Sequence, residues 1–129
     1  MTDGLTLTDE QYISWGIADD VAVIRLRPLD NTRVEAYEIL NGEIVAVLQA
    51  SPQARIVINL EHVQDLSSQM LGILAALYRR VSSPGGVVAV CGLGTEALRI
   101  IKLTRMDTIL KVYADEAAAR RALATDGKA

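Results

Sequence analysis

"RIVINLEHVQDLSSQMLGILAALYRRV", residues 55–81, joins two kinds of apolar pattern across one short polar bridge. Its first part, Arg55-Ile56-Val57-Ile58-Asn59-Leu60, is rich in β-branched residues and too short for a helix. A run of this kind predicts a central strand buried on both faces, as the strands of parallel sheets are. Its last part carries Met70, Leu71, Leu74, Leu77, Tyr78 and Val81 at three- and four-residue spacing. That spacing predicts a helix from about Ser68 to Ser82 with those side chains turned inward. Strand, polar loop and helix in succession form the repeating unit of an α/β fold.

The unit recurs on either side. Toward the N-terminus, the stretches from Tyr12 to Ala18 and from Val21 to Leu26 predict two strands paired as a hairpin across Asp19-Asp20. Pro28 ends the second strand, because proline has no N–H to give a ladder. Asp30-Asn31-Thr32 offers helix caps. Val34, Tyr37, Leu40, Ile44, Val47 and Leu48 then repeat at helical spacing up to Pro52. Gly42 weakens that helix by about 1 kcal/mol relative to alanine.

Toward the C-terminus, Pro84-Gly85-Gly86 reads as a turn and Val87-Val88-Ala89-Val90-Cys91 as another buried strand. After the Gly92-Leu93-Gly94 loop, Thr95 is the expected cap of a short helix with Leu98, Ile101 and Leu103 inward. Residues 109–113 read as a last strand. Asp115 caps a final alanine-rich helix to about Ala124, with Asp115 and Glu116 at the end where the helix dipole favours anions. The expected fold is α/β, a mixed and largely parallel sheet with an N-terminal β-hairpin and about four helices. It occupies residues 11–124, between a flexible tail at 1–10 and another at 125–129.

Composition narrows the function. A chain of 129 residues suits one domain. Half the residues are hydrophobic and none is phenylalanine, so the core is aliphatic. Net charge is −3 with charges of mixed sign, which argues against a nucleic-acid binder. The hydrophobic content argues against disorder. A single cysteine, Cys91, excludes an internal disulfide and reads as a small core hydrophobe. The polar, acidic start MTDGLTLTDE is not a signal peptide. No apolar run approaches the roughly 18 residues of a membrane span. A soluble cytoplasmic protein with no membrane insertion is expected. No cofactor is expected either: the bare Gly92-x-Gly94 completes no phosphate-loop motif, and one cysteine and one histidine make no metal-ligand cluster.

The serine pair in the bridge carries three readings. A nucleophilic serine needs a base in reach and a group that orients the base. The G-x-S-x-G elbow is missing, and the only histidine, His62, lies six residues before Ser68. A small serine hydrolase is therefore the most distant reading, and the chain is not expected to be an enzyme. As helix caps, Ser67 or Ser68 would accept a bond from a free N–H of the first turn, worth about 1 kcal/mol. The same helix start also suits a phosphate, through its free N–H groups and the dipole. The outer face of the helix bears on the choice. Gln69, Gly72, Ile73, Ala76 and Arg80 fall roughly in line, a small and partly apolar surface that a partner helix approaches closely. A phosphoserine at its edge would oppose such docking by charge and desolvation.

The stretch at 55–81 resembles the STAS domain of bacterial anti-sigma-factor antagonists. Those domains read apolar strand, Asp/Asn-Leu, a spacer, Asp-Ser-Ser-Gly-Leu-Gly, then a helix with a tyrosine and basic residues near its end. The hairpin, Leu29-Asp30, the Pro-Gly-Gly before the valine strand, and "EALRIIKLTRMDTILKVYADEAAARRAL" also fall where the family has counterparts. The resemblance implies binding to an anti-sigma factor that is also a serine kinase, so that a sigma factor is released. It implies that phosphorylation of one serine abolishes that binding and that a phosphatase restores it. Anchored on Leu71-Gly72, the acceptor serine maps to Ser68, with Ser67 as the alternative. Asp30 maps to an acidic position near it, and Asn59 to the strand end beneath the loop. The implied partner surface is Asp30, Ser67, Ser68, Gln69, Gly72, Ile73, Ala76 and Arg80. The motif departs from the family at Ser67 in place of Asp, Gln69 in place of the second serine and Met70 in place of glycine, with Met70 expected to add bulk where a kinase would approach. An alternative on the same fold is a STAS scaffold without phosphorylation, an accessory subunit of a signalling assembly or of a lipid-transport ABC complex. Trp15, near an expected edge strand, leaves dimerisation open.

Overall fold

The structure is a computed structural model and describes residues 5–29, 33–50, 55–63, 65–82 and 86–126. The described residues build one six-stranded sheet whose spatial order follows the chain, β1 to β6. These are β1 (Thr8–Asp9), β2 (Ile13–Ala18), β3 (Val21–Leu26), β4 (Arg55–Asn59), β5 (Val87–Cys91) and β6 (Lys111–Tyr113). Strands β1, β2 and β3 pair antiparallel, and β3 to β6 run parallel. The helices are α1 (Val34–Ala50), α2 (Ser68–Ser82), α3 (Thr95–Leu103) and α4 (Glu116–Asp126).

The period of two in the strands divides the core into two layers. Ala22, Ile24, Ile56, Ile58, Val88 and Val90 face α1, α2 and α3, where Leu40, Ile44, Leu74, Leu77 and Ile101 pack on them. Val21, Val23, Val57, Ala89 and Cys91 face the other way, toward Ala119 and Leu123 of α4. The two central strands β4 and β5 are thus covered on both faces, as their unbroken apolar runs predict. The hairpin closes across Asp19 and Asp20, both left-handed at φ 56° and 61°. Ala18 pairs with Val21, so only two residues make the turn.

Some details differ from expectation. A short strand, β1, forms at Thr8–Asp9 inside the stretch read as a loose tail, and Ser14 donates to Asp9 across it at 2.6 Å. Gly16 is needed there for close approach, since a Cβ would collide with the Thr6 carbonyl oxygen. Val34 and Leu103, expected inward, are 63% and 67% exposed, because α1 and α3 turn other residues to the sheet at those ends. Thr95 does not cap α3. Gly94 occupies that position without a side-chain bond, and Thr95 is already helical. The last strand begins at Lys111, two residues later than expected, because a 3-10 turn at Met106–Thr108 takes up the chain before it. Asp115 does cap α4, its Oδ1 accepting from Ala118 N–H at 2.8 Å. The expected caps Asp30-Asn31-Thr32, the stop at Pro52 and the turn residues Pro84-Gly85 lie outside the described residues.

Candidate functional site

Loop 60–67 leaves the carboxyl end of β4, where open parallel sheets place their sites. Leu60 N–H bonds the Cys91 carbonyl at 2.9 Å, and Val63 N–H bonds the Leu60 carbonyl at 3.0 Å. The loop therefore starts as a tight turn against the neighbouring strand. Asn59 anchors it from below and is a buried polar residue among apolar neighbours. Its Oδ1 accepts from Glu61 N–H at 2.9 Å, and its Nδ2 donates to Glu61 Oε1 at 3.1 Å and Glu116 Oε1 at 3.0 Å. Arg25 of β3 grips Glu116 with a two-pronged contact, Nε to Oε1 at 2.8 Å and Nη2 to Oε2 at 2.5 Å. Burial pushes the Glu116 carboxyl up, but hydrogen bonds from Arg25 and Asn59, with the charges of Arg25 and Arg120, hold it below the usual carboxylate range. Below this network the Cys91 thiol is pushed up to about 12, first by burial and then by the charges of Glu116, Asp115 and Glu61. At ordinary pH that thiol is protonated and inert.

The serine pair divides at the start of α2. Ser67 is the cap: its Oγ accepts from Met70 N–H at 3.2 Å, and its carbonyl accepts from Leu71 N–H at 2.9 Å. Its Oγ also shares a 2.8 Å hydrogen bond with the hydroxyl of Tyr37, a buried residue of α1. Ser68 is the first helical residue, exposed, and among the described residues its hydroxyl has no partner. Met70 is turned into the core at 1% exposure, so its bulk does not stand in front of Ser68 as the sequence suggested. It lines instead a cleft of about 410 Å³ with Tyr37, Leu29, His62 and Asp65.

The remaining expected residues lie along α2. Gln69, Gly72 and Arg80 are exposed, while Ile73 and Ala76 are half-buried, with Ile73 packed against the core edge. Nothing within 4 Å would meet a Cβ on Gly72, so that position is open. Arg79 and Arg80 sit in the last turn, where the dipole favours cations. Asp30 lies outside the described residues. His62 is exposed, and among the described residues it shares no hydrogen bond with Ser68. Sequence reasoning missed Tyr37 as part of the site, since its helical spacing marked it only as core. It also missed Arg25 and Glu116, 91 residues apart in the chain.

A mixed sheet with an N-terminal hairpin and a capped serine loop at its parallel end defines an α/β domain of one mixed sheet and four helices. The STAS domain family model matches residues 18–119, and this chain belongs to that family. It is 26% identical over 97 residues to a Thermotoga maritima protein named as a candidate anti-sigma factor antagonist, covering 75% of this chain and 84% of that one. The crystal structure of an anti-sigma factor antagonist from Mycobacterium paratuberculosis is 28% identical. It superposes with a TM-score of 0.70 over 95% of this chain and 97% of the other. The phosphorylated form of the Bacillus cell fate determinant SpoIIAA shares the fold at 17% identity and a TM-score of 0.62, over 92% and 98% of the two chains. Ser67 caps α2 through Met70 N–H, and serine ranks with aspartate at that position. Among the described residues no helix is long and apolar enough to cross a membrane.

Proposed function

We propose that this chain is a cytoplasmic, non-enzymatic anti-sigma-factor antagonist. It binds an anti-sigma factor that is also a serine kinase, and the state of Ser68 controls that binding. The observation that carries the reading is Ser68 itself, exposed in the first turn of α2 with an unengaged hydroxyl, one turn from the open position at Gly72. The partner surface is the loop end at Ser67, Ser68 and Gln69, the α2 face of Gly72, Ile73, Ala76 and Arg80, and Asp30.

The switch is electrostatic. A phosphate on Ser68 adds about −1.5 to −2 charge. The helix start tolerates it, because the first-turn N–H groups lack intrahelical partners and the dipole is positive there. A partner that has to desolvate that charge does not. A phosphatase returns the docking state.

The test is co-purification with the kinase-type anti-sigma factor of the same cells. Wild type and Ser68→Ala are expected to retain it, and Ser68→Asp and the phosphorylated chain to lose it. Equal retention of the unmodified and phosphorylated chains would remove the switch. Failure of every form to retain it would remove the partner.

A further inference from the structure

Two adjacent serines face the same partner, but only one hydroxyl is at liberty. A serine hydroxyl offers one donor and two acceptor sites. On Ser67 two of these three are used, by Met70 N–H and by the Tyr37 hydroxyl, and the side chain is half-buried. On Ser68 none is used among the described residues, and the side chain is exposed. We propose that Tyr37 is a specificity-determining residue, which holds the Ser67 hydroxyl from the neighbouring helix and so leaves Ser68 as the phosphoryl acceptor. This rests on the phosphorylation reading above and adds which serine is used and what enforces the choice.

Phosphoryl transfer requires an oxygen lone pair aimed at the γ-phosphorus of a nucleoside triphosphate. The Oγ–P bond forms, the bond from that phosphorus to the bridging oxygen breaks, and the diphosphate leaves. The hydroxyl proton passes to the kinase's base. For Ser67 this would mean leaving both of its bonds and uncapping α2. The Tyr37 side of the bond does not yield easily, because the ring is 6% exposed and packed in the main core. Its hydroxyl position is fixed by the seating of α1 on the sheet, not by the loop. Tyr37 therefore acts through Ser67 and touches no phosphate.

The experiment incubates the purified chain with ATP and a soluble extract of the cells that make it, and maps phosphate by tandem mass spectrometry. Wild type is expected to carry phosphate on Ser68, and Ser68→Ala to take up none. Tyr37→Phe keeps the ring and removes only the hydroxyl. It is expected to raise the Ser67 share by about fivefold, the factor one ordinary hydrogen bond is worth. The double variant Ser68→Ala with Tyr37→Phe is expected to gain phosphate on Ser67. A thermal melt shows that each variant is folded, and Ser68→Ala tests the choice of serine with Tyr37 intact. Phosphate on Ser67 in wild type, uptake by Ser68→Ala, or an unchanged Ser67 share in folded Tyr37→Phe would overturn the role of Tyr37 while leaving phosphorylation standing. No phosphate on either serine in wild type would overturn the phosphorylation reading and this inference with it.

Discussion

Replacing Gly92 by alanine should damage the protein more than its surface position suggests. Gly92 follows β5 with φ +76°, a conformation that costs an L-residue about 1–2 kcal/mol. An added Cβ would sit 2.9 Å from Asn59 Oδ1, 2.9 Å from Glu61 Cβ and 3.0 Å from Glu61 N. None of these is the free end of a flexible side chain. Asn59 Oδ1 accepts from Glu61 N–H, and the same amide holds Glu116. Relief of the clash breaks that bond and leaves a buried amide unsatisfied, which adds about 1–3 kcal/mol. Together the expected loss is about 2–5 kcal/mol, or on the order of 10 °C in melting temperature for a domain of this size. Urea unfolding followed by circular dichroism measures it. A loss under about 1 kcal/mol, with the Asn59 side-chain amide resonances unmoved, would refute the claim that Gly92 is needed for the anchor beneath the loop.

Three further outcomes follow from the same geometry. Gly72→Ala should stabilise by about 0.5–1 kcal/mol, since nothing lies within 4 Å of the new methyl, and a larger side chain there, Gly72→Trp, should abolish capture of the anti-sigma factor without loss of fold. Asp20→Gly should raise the urea midpoint by about 1 kcal/mol equivalent, because Asp20 sits at φ 61° in a two-residue turn that favours Asp-Gly. The Glu116 carboxyl is held below its ordinary value in the folded chain, so its contribution is present above the unfolded pKa and lost as pH falls through the folded one. Glu116→Gln should therefore cost about 1 kcal/mol near neutral pH, and the gap to wild type should close as urea titrations are taken from about pH 6 toward pH 3; a gap that stays constant would mean that the Arg25 contact contributes nothing.

Much of this was legible in the sequence because period decides it. The valine and isoleucine runs at 55–59 and 87–91 mark central strands, and the spacing from Met70 to Val81 marks the buried side of α2. Asp115 was legible as a cap because the chemistry of a cap is local. The misses are of two kinds. Thr8–Asp9 is a strand made by its neighbour, since two exposed polar residues carry no pattern of their own. Val34 and Leu103 continue an apolar period past the point where the helix still faces the sheet. The finer site geometry was hidden for a different reason. Tyr37 meets Ser67 across 30 residues, and Arg25 meets Glu116 across 91. Spacing along one helix or strand does not encode which side chains meet at the end of a folded sheet. The motif could point to the serine pair, but only the Tyr37 contact distinguishes its two members.

The sheet whose spatial order matches its chain order has a consequence for synthesis. Each new strand leaving the ribosome can add to an edge that is already built, so no strand waits for a distant partner, and pairing grows in one direction from the hairpin. The layer beneath does not grow that way. Val21, Val23, Val57, Ala89 and Cys91 face Ala119 and Leu123, which belong to the last helix. A nascent chain thus carries a finished sheet with one bare apolar side until its final turns emerge. In that interval it is a sticky object, and its protection in the cell depends on how quickly α4 swings under the sheet.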